Sequence, residues 1–317
     1  MSDLREVILK LSRYDRTVLI QGESGTGKEL IAKMLHELSP RFHKKFIAIN
    51  CAAVPEQLLE ALLFGYERGS FTGADRQTKG YLDNAEGGTL FLDEISETSV
   101  GFQAKFLRVL QEKNFYRLGG HELIRADVQI LSATNQDLER LMHEGKFRAD
   151  LYYRLSVIKI AAPPLRSHRE DIPELAQYFL QVIRENLNNE VEATGFSNDT
   201  MERLKAYDWP GNVRELRNTI EHAVIFAKKA SIVPGDLPPL IREDKKEGRA
   251  PGHEVALKGL AEFNLKEARR RFEEAYLLEL SNATNHDLKE VARLAGVDLA
   301  TVYRKLAWLK GDGFTRP

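Results

Sequence analysis

Seven residues, Gly22-Glu23-Ser24-Gly25-Thr26-Gly27-Lys28, constrain this chain more than any other stretch. They match G-x-x-x-x-G-K. The short apolar run Val18-Leu19-Ile20 precedes them, and Glu29 to Leu38 follows with Leu30, Ile31, Met34, Leu35 and Leu38 at helical spacing. Strand, Gly-rich turn and helix form the context in which this motif holds a nucleotide. The glycines let backbone N–H groups wrap the phosphates, and Lys28 brings positive charge to the β- and γ-phosphates. The following helix points its positive end at the same place. The general motif continues with Ser or Thr as a magnesium ligand, and here Glu29 stands there, so magnesium must lean on Asp93 and the phosphates. The alternative is a Gly-rich turn without nucleotide.

Further apolar runs fit a layered α/β fold. Phe46 to Ile49, Thr89 to Leu92, Val128 to Ala133 and Val157 to Ile160 read as strands, and helical patterns such as Ser99 to Glu112 separate most of them. Such alternation predicts a parallel sheet with helices on both faces, with ligands at the carboxyl ends of its strands. After Pro163-Pro164 the strand signal stops. Ile172 to Leu187, Ser197 to Ala206 and Asn212 to Lys228 read as helices of a separate subdomain. Residues 241–254 are mostly polar and aperiodic, which predicts a flexible linker. The expected organisation is an α/β nucleotide-binding subdomain over 1–165 and a helical lid over 166–240. A linker over 241–263 and a small all-α domain over 264–317 follow.

Composition narrows the function classes. The 317 residues carry a formal net charge of −1, so no global basic field announces nucleic acid. The lone Cys51 excludes an internal disulfide framework and a cysteine-rich zinc site. It fits a reducing cytoplasm. No apolar run approaches the ~18 residues of a membrane span, and Met1-Ser2-Asp3-Leu4-Arg5 begins no secretory leader.

Several polar constellations sit where a nucleotide site needs them. Asp93 and Glu94 close an apolar strand, a place for one carboxylate to hold magnesium and the other to orient water. Thr134 and Asn135 end the next strand. Asn50 ends another and reads equally as a strand-end cap. Phe147-Arg148-Ala149-Asp150-Leu151-Tyr152-Tyr153-Arg154-Leu155 offers two guanidiniums, which taken alone read as surface ion pairs. In Trp209-Pro210-Gly211-Asn212-Val213-Arg214-Glu215-Leu216, Pro and Gly punctuate a helix start with Asn212 near its cap. The run Gly69-Ser70-Phe71-Thr72-Gly73-Ala74 suits neither helix nor strand, and reads as a loose loop with an exposed Phe at its middle.

At the carboxyl end, Leu265 to Leu280 is amphipathic. Asp287 to Val297 and Asp298 to Leu306 then read as two short helices about a Gly-containing turn, a helix-turn-helix. Ala292, Gly296, Val297, Val302 and Leu306 are expected to pack them together. Ala300, Thr301, Tyr303, Arg304 and Lys305 are the expected DNA-binding positions of the second helix. Residues 264–317 carry ten Lys and Arg against eight Asp and Glu, a modest electrostatic case. A protein-binding helical hairpin is the alternative.

The Gly69–Ala74 run resembles the Gly-Ala-Phe-Thr-Gly-Ala loop of bacterial sigma-54-dependent transcription activators, the enhancer-binding AAA+ ATPases, with Ser70 where that family usually has Ala. The segment at 209–216 resembles the same family closely, Glu after the P-loop Lys is common in it, and the carboxyl-terminal unit resembles its Fis-type domain. The resemblance implies a P-loop AAA+ fold with a helical lid. It also implies the cofactors ATP and Mg2+, with Gly22 to Glu29 around the phosphates. Asp93 would hold magnesium, usually through water, and Glu94 would activate water. Asn50 would act as a switch paired with Glu94, Thr134 and Asn135 as a γ-phosphate sensor, Arg148 and Arg154 as arginine fingers, and Arg214 as a second sensor. It implies a cytoplasmic bacterial regulator that binds enhancer DNA as a dimer and assembles a hexamer or heptamer ring. That ring would press Gly69, Ser70, Phe71, Thr72, Gly73 and Ala74 on sigma-54, remodelling RNA polymerase. The family usually carries a regulatory domain, such as a two-component receiver, ahead of the ATPase. This chain starts almost at the ATPase, which predicts either a piece of a longer protein or control by a separate partner. An AAA+-fold DNA-binding regulator that does not act on sigma-54 is the competing reading.

Overall fold

The computed structural model describes residues 2–188, 191–242, 276–277, 280, 284, 288–299 and 301–302. The chain divides into two compact units, Met1–Glu243 and Asp244–Pro317. In the first unit the strands are β1 (Val18–Gln21), β2 (Phe46–Asn50), β3 (Thr89–Asp93), β4 (Asn114–Phe115), β5 (Ile124–Arg125), β6 (Gln129–Thr134), β7 (Ile158–Ala161), β8 (Gly195–Phe196) and β9 (Ser231–Ile232). Its helices are α1 (Ser2–Leu11), α2 (Lys28–Glu37), α3 (Glu56–Phe64), α4 (Tyr81–Asn84), α5 (Val100–Glu112), α6 (Leu138–His143), α7 (Ala149–Leu155), α8 (Ile172–Asn186), α9 (Asn198–Ala206), α10 (Asn212–Phe226) and α11 (Pro239–Arg242).

The main sheet runs β2-β3-β6-β1-β7, and every neighbouring pair is parallel. The central strands β1, β3 and β6 are mostly apolar and buried because both faces are covered, whereas the edge strand β7 carries the exposed Lys159. Leu90 and Leu92 face one way, with Leu19 and Ile130, onto Phe102, Phe106 and Leu151 of α5 and α7. Phe91 faces the other way, with Val18, Ile20, Leu131 and Ala133, onto Ile8, Ile31 and Leu35 of α1 and α2. The two-residue alternation of a strand thus sorts one sequence run into two cores.

The predicted strands fall within a residue of those observed. Ser99 serves as N-cap of α5, its hydroxyl accepting the Phe102 N–H at 3.2 Å. Two features differ from the sequence expectation. The hairpin β4–β5 and the parallel pair β8–β9 are strand pairings of two residues each, and the second lies where the strand signal had stopped. Elements of two residues carry no periodicity for a sequence reading to find.

The helical subdomain packs Ile172, Ala176 and Leu180 of α8 against Leu216, Ile220 and Val224 of α10, with Trp209 fully buried between them. The Trp209 indole N–H donates to the Leu204 carbonyl at 2.8 Å. In the second unit, helix α12 (Leu288–Ala295) places Val291 and Ala292 with Leu277 and Val302 in a small apolar cluster. The turn after it follows Gly296, at φ 65, and Asp298 then accepts the Thr301 N–H at 2.8 Å. Val297, expected in that packing, is 39% exposed, because it lies on the turn rather than on either helix. Thr301 also gives its hydroxyl to Asp298. Ala300, Tyr303, Arg304, Lys305 and Leu306, and most of the 241–254 segment, lie outside the described residues. Among the described residues no helix is long and apolar enough to cross a membrane.

Trp209→Ala is expected to cost about 3–5 kcal/mol, read as a lower urea midpoint. Cys51 is buried, and that burial, with Asp93 and Glu94 nearby, pushes its thiol up to about 12. A thiol reagent at pH 8 is therefore expected to leave the folded protein unlabelled and to label it fully in denaturant.

Candidate functional site

The carboxyl ends of β1, β3 and β6 bring the site together. β1 runs into the turn Gly22–Gly27, and α2 starts at Lys28. Gly25 and Gly27 have φ of 79° and 87°, conformations that side chains disfavour. At Gly25 the demand is also spatial, since a Cβ would lie 2.2 Å from the Gly211 carbonyl oxygen. Lys28 is 6% exposed. Its ammonium donates to the carbonyls of Gly22 (3.0 Å) and Glu23 (3.3 Å) and lies 3.5 Å from a Glu94 carboxylate oxygen.

Glu94 follows β3 in the left-handed region, at φ 53. For a residue with a full side chain that geometry costs free energy and persists only where the surroundings impose it. Here it turns the carboxylate between Lys28 and the Asn135 N–H, which donates to it at 3.1 Å. Asp93 accepts the Glu94 N–H at 3.1 Å. Burial, and then the Glu94 charge, push the Asp93 carboxyl above the usual carboxylate range, against the opposing pull of Lys28. Two adjacent carboxylates beside one buried ammonium are a donor set suited to a divalent cation and an anionic phosphate chain.

The other sequence-derived residues take the following places. Asn50 is paired in register with Asp93, and its side chain accepts the Ala52 N–H at 2.9 Å, so here it caps the turn after β2. Thr134 is fully buried, its hydroxyl given to Ser96 and accepting the Gln136 N–H. Glu29 pairs with Lys33 along α2 at 2.8 Å. Arg148 stands at the N-cap position of α7 with its side chain on Asp150 at 2.7 Å, while Arg154 is exposed on the last turn of that helix. Arg214 reaches the phosphate loop, donating to the Ser24 hydroxyl at 3.1 Å.

The Gly69–Ala74 loop is closed on itself by a bond from the Gly69 N–H to the Ala74 carbonyl, 2.8 Å. Phe71 is 48% exposed and touches Tyr66 edge-on at 5.0 Å, and Ala74 is buried. Below the loop, Tyr66 bridges both Thr78 and Leu118. Arg117 joins that base together, holding Asp83 at 2.7 Å and Glu67 at 3.3 Å. The Ser70 hydroxyl is buried with no partner among the described residues, and its Cβ lies where a side chain at Gly119 would go. Sequence reasoning missed Arg117, Glu23's side-chain partners and Asn212's contacts. The αL-prone Gly211-Asn212 pair was the one visible signal for the last.

Comparison with known proteins fits this arrangement. Residues 1–161 match the sigma-54 interaction domain family and residues 166–254 the AAA+ ATPase lid domain family. The chain is 43% identical over 306 residues to the regulatory protein AtoC of Escherichia coli, covering 96% of this chain and 65% of that protein. It is 51% identical over 225 residues to the Nif-specific regulatory protein of Azotobacter vinelandii, covering 71% of this chain and 42% of that protein. The crystal structure of NtrX from Brucella abortus in complex with ATP superposes with a TM-score of 0.73 at 34% identity, over 98% of this chain and 67% of that one. The chain belongs to the sigma-54 interaction domain family and has the AAA+ fold with its helical lid. It spans about two thirds or less of the length of the AtoC and Nif-specific relatives.

Gly25→Ala is expected to cost about 1–3 kcal/mol from backbone strain alone, with the clash against Gly211 adding to it. Chemical denaturation checks this, and an unchanged midpoint contradicts the close packing.

Proposed function

We propose that this chain is the ATP-hydrolysing and DNA-binding part of a sigma-54-dependent transcription activator. The observation that carries the reading is the exposed Phe71 on a closed Gly-Ser-Phe-Thr-Gly-Ala loop. It occurs in a chain whose Lys28, Asp93 and Glu94 meet at the sheet's ligand edge. The reaction is ATP plus water to ADP and phosphate. The Gly22–Gly27 backbone and Lys28 hold the phosphates. Asp93 would hold Mg2+, which would supply charge neutralisation on the phosphate chain. Glu94 positions water for attack and takes its proton. Asn135 and Arg214 sense the γ-phosphate, and Asn50 exchanges its present cap for Glu94 as the nucleotide changes.

In a ring of six or seven copies, Arg148 or Arg154 of one copy reaches the neighbour's nucleotide. For Arg148 that requires release of Asp150. Residues 1–165 and 166–240 form the motor, 241–263 the linker, and 264–317 a cytoplasmic enhancer-binding module using Ala300, Thr301, Tyr303, Arg304 and Lys305. Hydrolysis drives the Gly69–Ala74 loop against sigma-54 and opens the RNA polymerase–promoter complex. Ser70, where the family usually has Ala and whose hydroxyl has no partner among the described residues, favours as a second reading a DNA-binding regulator that does not act on sigma-54.

Glu94→Ala is expected to lower ATP turnover by about a hundredfold or more while still binding ATP, and near-normal turnover contradicts its assignment. The functional test is co-migration with purified sigma-54 on a native gel in ADP plus aluminium fluoride. A complex lost in Phe71→Ala, with ATPase retained, supports the activator. No complex from a protein that hydrolyses ATP supports the second reading.

A further inference from the structure

Glu23 occupies the second position of the phosphate loop, yet its side chain turns away from Lys28 and toward the helical lid. Arg166 grips both carboxylate oxygens, at 2.7 and 2.5 Å, and the Asn212 amide donates to one of them at 3.1 Å. These two donors come from parts of the lid well separated in sequence. Arg166 lies where the chain leaves β7 and enters the lid, and Asn212 lies where α10 begins.

Asn212 is fully buried and holds φ 52, a left-handed conformation inside a junction rather than on a free turn. Every part of its amide is used. Its oxygen accepts the Leu165 N–H at 2.9 Å, and its nitrogen donates to Glu23 and to the Ser24 carbonyl at 3.0 Å. The next residues continue the contact. The Val213 N–H donates to the Gly25 carbonyl at 3.0 Å, and Arg214 reaches Ser24.

We propose that Glu23 is a positioning residue that locks the lid to the phosphate loop and thereby sets where Arg214 stands. An exposed ion pair alone contributes little. A bidentate Arg–carboxylate pair sharing an oxygen with a buried, fully bonded amide is a network, and it fixes both segments together. The lid entry, the start of α10 and the phosphate loop then move as one piece. The proposal rests on the reading of Gly22–Lys28 as the site of ATP phosphates.

Glu23→Gln removes an anion beside the phosphate loop, so on charge alone both nucleotides bind more tightly and the more highly charged one gains more. The latch predicts the reverse, because Arg214 loses its placement against the γ-phosphate. The test is fluorescence anisotropy with mant-ADP and a slowly hydrolysed mant-ATP analogue on the full chain, in Glu23→Gln, Arg166→Gln and the double variant. The expected result is a fall in the triphosphate-to-diphosphate affinity ratio of about fivefold or more in each single variant. No further fall is expected in the double variant, nor when Glu23→Gln is placed in an Arg214→Ala background, and Arg166→Lys, which keeps the charge but not the two-point grip, gives an intermediate ratio. A ratio that is unchanged or raised in Glu23→Gln, or effects that multiply in the Arg214→Ala background, overturns the latch and leaves the nucleotide site standing. Binding of neither nucleotide by the unaltered chain sinks the ATP reading and the latch with it.

Discussion

The buried Lys28 ammonium is the interaction on which the rest of the structure depends. It is 6% exposed and surrounded by two carbonyls and the Glu94 carboxylate. A charge placed there needs partners on all sides. Those partners come from β1's turn and the end of β3, so the parallel sheet must hold these strand ends in register before the site exists. Glu94 is bent into the left-handed region to supply its share. Its second oxygen takes the Asn135 N–H after β6, so the central strands are joined through one side chain.

Two further structures stand beside that centre. One is the lid, joined to the phosphate loop by Gly25, Ser24 and Glu23. The other is the Gly69–Ala74 loop, whose base is held by Arg117, Asp83 and Glu67. The Arg117–Asp83 pair is largely buried, where removing either partner leaves an uncompensated charge. The lid contact and the loop base are thus each held by an arginine on carboxylates, Arg166 on Glu23 and Arg117 on Asp83 and Glu67.

The sheet was legible because its strands are predominantly apolar runs, several ended by polar residues such as Asn50, Asp93 and Asn135. The phosphate loop was legible because its glycines have a backbone reason to be there. The two-residue strand pairs were not, because they are fixed by their neighbours and carry no pattern of their own. Val297 was misplaced because an apolar residue next to a turn looks the same in sequence whether it faces the core or solvent. Asn50 shows a different limit. Both a cap and a switch were consistent with its position, and in this structure it caps the turn after β2. The partners of Glu23 were out of reach for another reason. Arg166 and Asn212 meet it only after the lid has folded back onto the sheet, and no local spacing encodes that.

Formation of heparin-resistant open complexes at a sigma-54-dependent promoter, from purified polymerase and this chain, tests the central claim most directly. The account predicts open complexes with ATP and none with a non-hydrolysable analogue or with Lys28→Ala. Open complexes that form equally well without hydrolysis, or that fail to form although the protein hydrolyses ATP, contradict it.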